Sequence, residues 1–362
     1  MSSRDLPIEI VIDILWRLPV KTLIRFRSVC KSWRSIISDS SFITTHFNNN
    51  NSSDADLLCM WRENGFKTTC TLVCSKTLDK LSEVELPLPG CKSGDCGCHI
   101  VGSCNGLLCL YVEIFDPFDT NIYLWNPSVR KLKTLPSSLH PEEFIKPETY
   151  VVLGFGFDHR TRDFKVVRIL YNQQPLVEVY TLSTDSWRSI EVAVPFIFIY
   201  SSPDVPFVCR SFHWPAYSSG DVFRQLIVSF DISEEAFGEI MLPNYQVDGD
   251  KLHESIKVYK GLLALFVWST HCCHVWVMKE YGVPESWMKQ LTIFSQTSVS
   301  RSLGFTKDNE VILEGKEKEL VAYDFENQNF RKIDIQNPFA CNLVTFLESL
   351  FLLEGENEVF GQ

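Results

Sequence analysis

NIYLWNPSVRKLKTLP, residues 121–136, holds an apolar run that ends in an aromatic, an Asn126-Pro127 turn dipeptide, and a second run that opens on basic residues. Two short runs around turn residues read as a β-hairpin. The arrangement returns in VEVYTLSTDSWRSIE (177–191), LIVSFDISEEAFGEIMLP (226–243), HVWVMKEYGVPESWMKQLTI (274–293) and LVAYDFENQNFRKIDI (320–335), with a degenerate early copy in TTCTLVCSKTLDKLSEVELP (68–87). The copies recur about every 50 residues, a spacing that marks a repeat architecture.

A second kind of hairpin, built on small residues and tight turns, alternates with the first. It appears as HIVGSCNGLLCLYV (99–112), LGFGFDHRTRDFKVVRIL (153–170), FVCRSFHWPAYSSGDVF (207–223), IKVYKGLLALFVW (256–268), LGFTKDNEVILEG (303–315) and finally LVTFLESLFLLEG (343–355). Gly102, Gly154, Gly156 and Gly304 suit strands that crowd toward an axis, so this kind reads as inner strands and the first as outer. The hairpin at 68–87 lacks an inner partner before it, and the one at 343–355 lacks an outer partner after it. Pairing these two completes a sixth sheet and closes a ring with no long free edge. A six-bladed β-propeller is therefore expected, with a pair of β-sandwiches as the competing arrangement. Asn105-Gly106, the Asp158 to Asp163 segment, Asp185-Ser186 and Asp308-Asn309 read as turn chemistry of that scaffold.

The first 47 residues are different text. Pro7 suits a first helical turn, Val11, Ile14, Leu15 and Leu18 share one helical face, and Pro19 stops the helix. Ile8, Ile12 and Trp16 form a second stripe beside it. A second short helix carries Leu23, Ile24 and Phe26, and a third carries Val29, Trp33, Ile36 and Ile37. The fold class is thus α+β multidomain. A small three-helix module over 1–47 is followed by a polar linker, NNNNSSDAD, over 48–56, and an all-β domain over 57–362. The head has more apolar surface than a module of about 40 residues buries alone, so it packs either on its own body or on a partner.

Composition narrows the function classes. The 362 residues carry a net charge of −11, split as +3 over residues 1–47 and −14 over the remainder. An acidic body does not suit a nucleic-acid backbone binder. The longest apolar stretch, Val192 to Tyr200, is broken by Pro195 and is far short of a membrane span. No secretory signal is visible. Thirteen cysteines, an odd number at irregular spacing, then argue for reduced thiols in the cytosol or nucleus.

The head closely resembles the plant F-box. Leu6-Pro7, Ile14-Leu15, Leu18 to Lys21, Arg25 to Arg27, and Val29 to Lys31 with Trp33 follow that pattern almost without a gap. The body resembles the kelch-like F-box-associated domain through SCNGLLCL (Ser103 to Leu110), YLWNPSVRKLKTLP (Tyr123 to Pro136) and GFGFDHRTRDFKVVRI (Gly154 to Ile169), although it lacks the double-Gly signature of true kelch repeats. The resemblance implies a non-enzymatic substrate-recognition subunit of an SCF-type (Skp–cullin–F-box) ubiquitin ligase. It implies that Leu6, Pro7, Ile10, Ile14, Leu15, Leu18 and Pro19 contact a Skp-family adaptor. Leu23, Phe26, Val29, Cys30 and Trp33 would divide between contact and the module's own core. The body would hold an unidentified target protein. The alternative is a propeller that binds a glycan or small ligand.

Other chemistry in the sequence is weak. Cys91, Cys96, Cys98, His99 and Cys104 lack the paired C-x2-C spacing of a zinc site, and in His271-Cys272-Cys273-His274 neighbouring strand residues point to opposite faces. No metal or cofactor is expected. No G-x-S-x-G elbow or H-E-x-x-H is present. For target contact, aromatic and basic residues of inter-blade loops are the candidates: Phe196 to Tyr200, and above all Arg210, His213, Trp214, Trp268 and His271.

Overall fold

The computed structural model of the protein describes residues 6–50, 55–62, 68–86, 88, 97–113, 121–137, 139, 150–172, 175–199, 205–219, 224–245, 251–294, 299–306, 308, 310–315, 317, 319–333 and 339–351. The head is α1 (Ile8–Trp16), α2 (Val20–Phe26), α3 (Lys31–Ser38) and α4 (Ser40–Asn50). Three helices were expected, and the fourth has a local cause. Asp39 Oδ1 accepts from Ser41 N at 2.9 Å and Phe42 N at 3.1 Å, which caps a new helix. Phe42, Ile43 and His46 of that helix are buried, and the first two join Leu15, Val20, Leu23 and Ile37 in one core. The helix therefore runs to Asn50, into the stretch read as linker, and β1 starts at Asp56.

The strands fall into six sheets. β1 (Asp56–Arg62), β2 (Thr68–Val73) and β3 (Lys80–Val84) belong to the first. The second is β4 (Gly97–Cys104), β5 (Leu107–Glu113), β6 (Asn121–Asn126) and β7 (Lys131–Thr134). The third is β8 (Tyr150–Asp158), β9 (Asp163–Tyr171), β10 (Leu176–Thr181) and β11 (Ser186–Ile190). In the fourth stand β12 (Phe196–Phe198), β13 (Phe207–Val208), β14 (Ser211–Ser218), β15 (Gln225–Asp231) and β16 (Ala236–Met241). The fifth is β17 (Lys251–Tyr259), β18 (Leu262–Ser269), β19 (Cys272–Met278) and β20 (Trp287–Phe294). The sixth is β21 (Val299–Phe305), β22 (Val311–Gly315), β23 (Leu320–Asp324) and β24 (Asn329–Ile333). The last strand, β25 (Phe339–Phe346), returns to pair with β1, in the order β25-β1-β2-β3. The first strands of successive blades adjoin one another around the ring, which is a six-bladed β-propeller.

Closure crosses the termini as expected, but the split differs. One C-terminal strand joins three N-terminal ones, because DLLCMWR at 56–62 forms the second strand. The hairpin read over 343–355 supplies only β25, and residues 352–355 lie outside the described ones. Leu350, read as strand, is drawn instead into the helical core.

Repeating side-chain bonds explain why the outer hairpins look alike. Asn126, Asp231 and Asp324 each close the turn after the third strand by accepting the N–H two residues on, at 2.9, 2.8 and 2.8 Å. Trp187 and Trp287, at the opening of a fourth strand, donate Nε1–H to the preceding blade, at Pro136 O (2.7 Å) and Met241 O (3.0 Å). The aromatic of the repeat is thus an inter-blade tie.

The glycines of the inner strands do as expected at blade three. A Cβ on Gly154 would stand 2.7 Å from the Phe212 ring, and one on Gly156 2.8 Å from the Phe207 ring. Gly154→Leu should therefore cost about 1–3 kcal/mol through overpacking, read as a lower midpoint of thermal unfolding. Gly102→Ala, whose Cβ meets Phe155 O at 3.5 Å and Phe155 Cβ at 3.9 Å, both ordinary contacts, should unfold like the parent.

Candidate functional site

The head presents an apolar row to solvent. Leu6 and Val29 are each 60 % exposed, and Ile8, Ile10 and Ile14 nearly half exposed. Beneath them Leu15 and Leu23 are fully buried in the head's own core, so Leu15, expected at the contact, is corrected to scaffold, and Leu23 falls on the core side of its two expected roles. Pro7, Pro19 and Cys30 are exposed, while Leu18, Phe26 and Trp33 are half-buried. Phe26 and Trp33 pack ring on ring at 5.1 Å, and Cys30 Sγ accepts the Trp33 N–H at 3.4 Å to cap α3. Ile8 belongs to the exposed row although sequence reading set it apart. It stands one turn before Ile12 on a stripe that the core takes up only further along.

The head is seated on the propeller through the segment after β25. Leu350 lies in the helical core, and Phe351 packs on Phe47 with centroids 5.8 Å apart. From the propeller side, Asn126 Nδ2–H donates to Phe351 O at 2.8 Å and Ser349 O at 3.1 Å. Asn126-Pro127, read as turn chemistry, also holds this strap.

The residues chosen from the body for target contact separate into two groups. Arg210 and His271 are exposed at turns, Arg210 lying 3.4 Å from Asp231. His213, Trp214 and Trp268 are not on loops. They stand in β14 and β18 and are buried, Trp214 at 5 % and Trp268 at 3 % exposure. Trp214 Nε1–H donates to Leu153 O at 2.9 Å, and His213 Nε2 meets Tyr281 Oη at 2.8 Å. Burial lowers the His213 pKa to about 4, despite its contact with Pro206 O, so the ring is neutral. These three are therefore corrected from surface to core. Phe196 is likewise buried, in β12, and Tyr200 lies outside the described residues.

Cys91 and Cys96 also lie outside the described residues. Cys98 is buried in an apolar cluster, and burial pushes the Cys104 thiol up to about 12. Cys272 Sγ and His274 Nε2 share one face at 3.7 Å. Among the described residues, no group of three His, Cys, Asp or Glu is placed to hold a metal, and no helix is long and apolar enough to cross a membrane.

A feature that no local sequence signal marks is an axial cavity of about 500 Å³. Every blade contributes to it: Leu343 to Thr345, Gly102 and Ser103, Phe155, Val205 to Phe207, Lys257, Val258, Lys260 and Gly261, and Leu303 to Thr306. These residues sit toward the ends of the inner strands that lead into the turns 105–106, 209–210 and 260–261, on the face that carries Val129 and Leu350 against the head. In blade four the inner strand is split. Phe198 pairs with Ala216 and Phe207 with Phe212, so β12 and β13 lie against β14 on either side of residues 213–215. Val205 N–H crosses to Val101 O of blade two at 3.1 Å. That crossing narrows the axis and gives the cavity a wall.

The chain matches two family models, the F-box domain over residues 4–45 and the F-box associated beta propeller domain over residues 64–352. It is 31 % identical over 340 residues to an F-box/kelch-repeat protein of Arabidopsis thaliana, covering 91 % of this chain and 90 % of that one. It is 30 % identical over 378 residues to F-box protein CPR1 of the same plant, covering 96 % and 89 %. The solved structure of apo AztD from Citrobacter koseri aligns with a TM-score of 0.40 at 10 % identity, over 82 % of this chain and 100 % of that one, a likeness too loose to carry an argument. The chain belongs to the F-box proteins that carry an F-box-associated β-propeller domain.

Proposed function

We propose that this protein is the substrate-recognition subunit of an SCF-type ubiquitin ligase, working in the cytosol or nucleus. The head docks on a Skp-family adaptor and so reaches the cullin–RING machinery, and the propeller holds a target protein. The chain supplies binding and no nucleophile. A held target meets the conjugating enzyme at high effective concentration, and ubiquitination follows. The observation that carries this reading is the exposed row Leu6, Ile8, Ile10, Ile14 and Val29 on a head whose own core is already closed. The glycan alternative finds less support, since the Trp214 and Trp268 indoles that would have offered stacking surfaces are in the core.

Ile10 and Ile14 are the cleanest test, because both are exposed and their loss leaves the helical core intact. Ile10→Glu with Ile14→Glu should remove capture by a recombinant plant Skp adaptor, since central apolar anchors are each worth about 2 kcal/mol or more. Circular dichroism should show an unchanged fold. Capture at the parent's level would overturn the assignment. Leu18→Ala with Trp33→Ala should also abolish capture, with some unfolding of the head, as both are half-buried.

A further inference from the structure

The core of the head is closed by a residue from the far end of the chain. Among the described residues that core buries seven side chains, six from residues 15–43 and the seventh Leu350, which is 1 % exposed. Modules of about 40 residues are marginal on their own, so one fully buried leucine is a large share of this one's stability. Leu350 stands four residues after the end of β25, a reach of at most about 14 Å, so the pairing of β25 with β1 decides where it can go. Blades two and three fix the rest of the path. Asn126, wholly buried, donates to Ser349 Oγ at 3.0 Å as well as to the two carbonyls of the strap, and Ser128 Oγ accepts the Ser349 N–H at 3.3 Å. Blade two lies so close that a Cβ on Gly106 would stand 2.5 Å from Leu347 O and from Ser349 Oγ. Phe351 then meets both Phe47 of α4 and Phe164 of β9, the latter with ring centroids 5.0 Å apart.

We propose that residues 347–351 couple closure of the propeller to adaptor docking. The head holds its exposed row in docking form only while β25 is paired with β1 and Leu350 is set in the helical core. The buried side of α1 carries Leu15 and the exposed side Ile10 and Ile14, so loosening the core beneath displaces the row above it. A chain whose ring has not closed presents a head with a hole in its core. An adaptor binding that head must also order it, at a loss of affinity. The first module of the chain thus reports on strand β25, about 300 residues later, and only a closed target-holding domain is carried onto the ligase. The inference rests on the reading of the head as the adaptor-docking unit.

The test uses the full chain, a recombinant plant Skp adaptor, and hydrogen exchange read by mass spectrometry. Leu350→Ala should weaken adaptor capture by about tenfold or more and speed exchange of the α1 and α2 amides. Leu350→Met, which conserves volume, should return both to the parent's level. Leu343→Asp with Val344→Asp puts charge into the apolar clusters on both faces of β25 and changes no residue of the head. It should still speed exchange in α1 and α2 and weaken capture. Asn126→Ala, which cuts the ties to Ser349 and Phe351, is the milder variant should the double one not fold, and it should move both readings the same way. In Leu350→Ala and Asn126→Ala the amides of β18 in blade five should exchange as in the parent. Equal acceleration there would mean general loosening and would overturn the proposal. So would capture or head exchange at the parent's level in Leu350→Ala, or head exchange unchanged when β25 or Asn126 is altered. Failure of the parent itself to capture the adaptor would sink the receptor reading and leave hydrogen exchange to decide the coupling.

Discussion

Glu178→Ala should destabilise the propeller by about 3–5 kcal/mol, the usual result of stripping one member from a buried ion pair. Glu178 and Arg168 face each other directly across β10 and β9 and are both almost wholly buried. The carboxylate takes Arg168 Nη2 at 2.6 Å and Nε at 2.8 Å, and its other oxygen accepts the Leu139 N–H at 3.0 Å. The guanidinium also lies 4.0 Å from the centre of the Trp187 ring. Burial pulls the Arg168 pKa down and Glu178 pulls it up, and a guanidinium stays charged through either. Without Glu178 that buried charge loses the carboxylate paired with it among the described residues. The control is Arg168→Met with Glu178→Leu, which removes both charges and should recover most of the loss. Unfolding followed by tryptophan fluorescence checks both. A single variant as stable as the parent would mean that water reaches the site.

The architecture was legible because its signal is chemical as well as periodic. The Asx turns at Asn126, Asp231 and Asp324 and the ties from Trp187 and Trp287 repeat in the text because they repeat in space. The misreadings have physical causes of the same order. FLESLFLLEG after β25 is apolar enough to be a strand, but Leu350 serves the helical core. DLLCMWR carries no turn signal of its own, so its place as the second strand of a blade depended on a partner about 280 residues away. The split of the inner strand in blade four left no period to read.

For the site, helical periodicity found the head's apolar faces but could not tell which turned inward. Ile14 and Leu15 are adjacent, yet one is nearly half exposed and the other buried. The difference is made by α4, whose Phe42 and Ile43 cover one side. Trp214 and Trp268 show the opposite error. An aromatic near a turn signal reads as surface, although in this propeller the indoles fill space between strands. The axial cavity escapes any local reading, since six blades each add only a few residues to it.

Asp158→Asn should cost about 2–3 kcal/mol at pH 7 and should flatten the acid limb of the stability curve. Asp158 closes β8 in the GFGFDHR motif and is fully buried. Burial alone would raise its pKa, but donors from Lys165 Nζ (2.8 Å), Ser233 Oγ (2.7 Å), Arg160 N (3.0 Å) and Thr161 Oγ1 (3.0 Å) outweigh it and hold the carboxyl well below its usual range. Lys165 also reaches Glu235 at 3.2 Å and Ile232 O at 3.1 Å, so the motif clasps blade three to the turn of blade four. An amide at this position turns an N–H₂ toward one of these donors and leaves a buried bond unmade. The folded pKa lies below the unfolded value of about 3.9, so the stabilisation is complete above about pH 5 and is lost as pH falls. Removing this one titrating group should lower the slope of stability against pH by up to about 1.4 kcal/mol per unit in that window. Burial opposes it, but Arg188 and Lys165 hold Glu235 low and Lys133 and Tyr180 hold Asp185 low, and hydrogen bonds from Ser41 to Asp39 and from Asn327 to Asp324 do the same there, so these carboxylates keep part of the acid limb. Denaturant unfolding of parent and variant at pH 7, 5, 4 and 3 decides it. Parallel curves would show that the carboxyl at 158 is no better held in the folded chain than in the unfolded one.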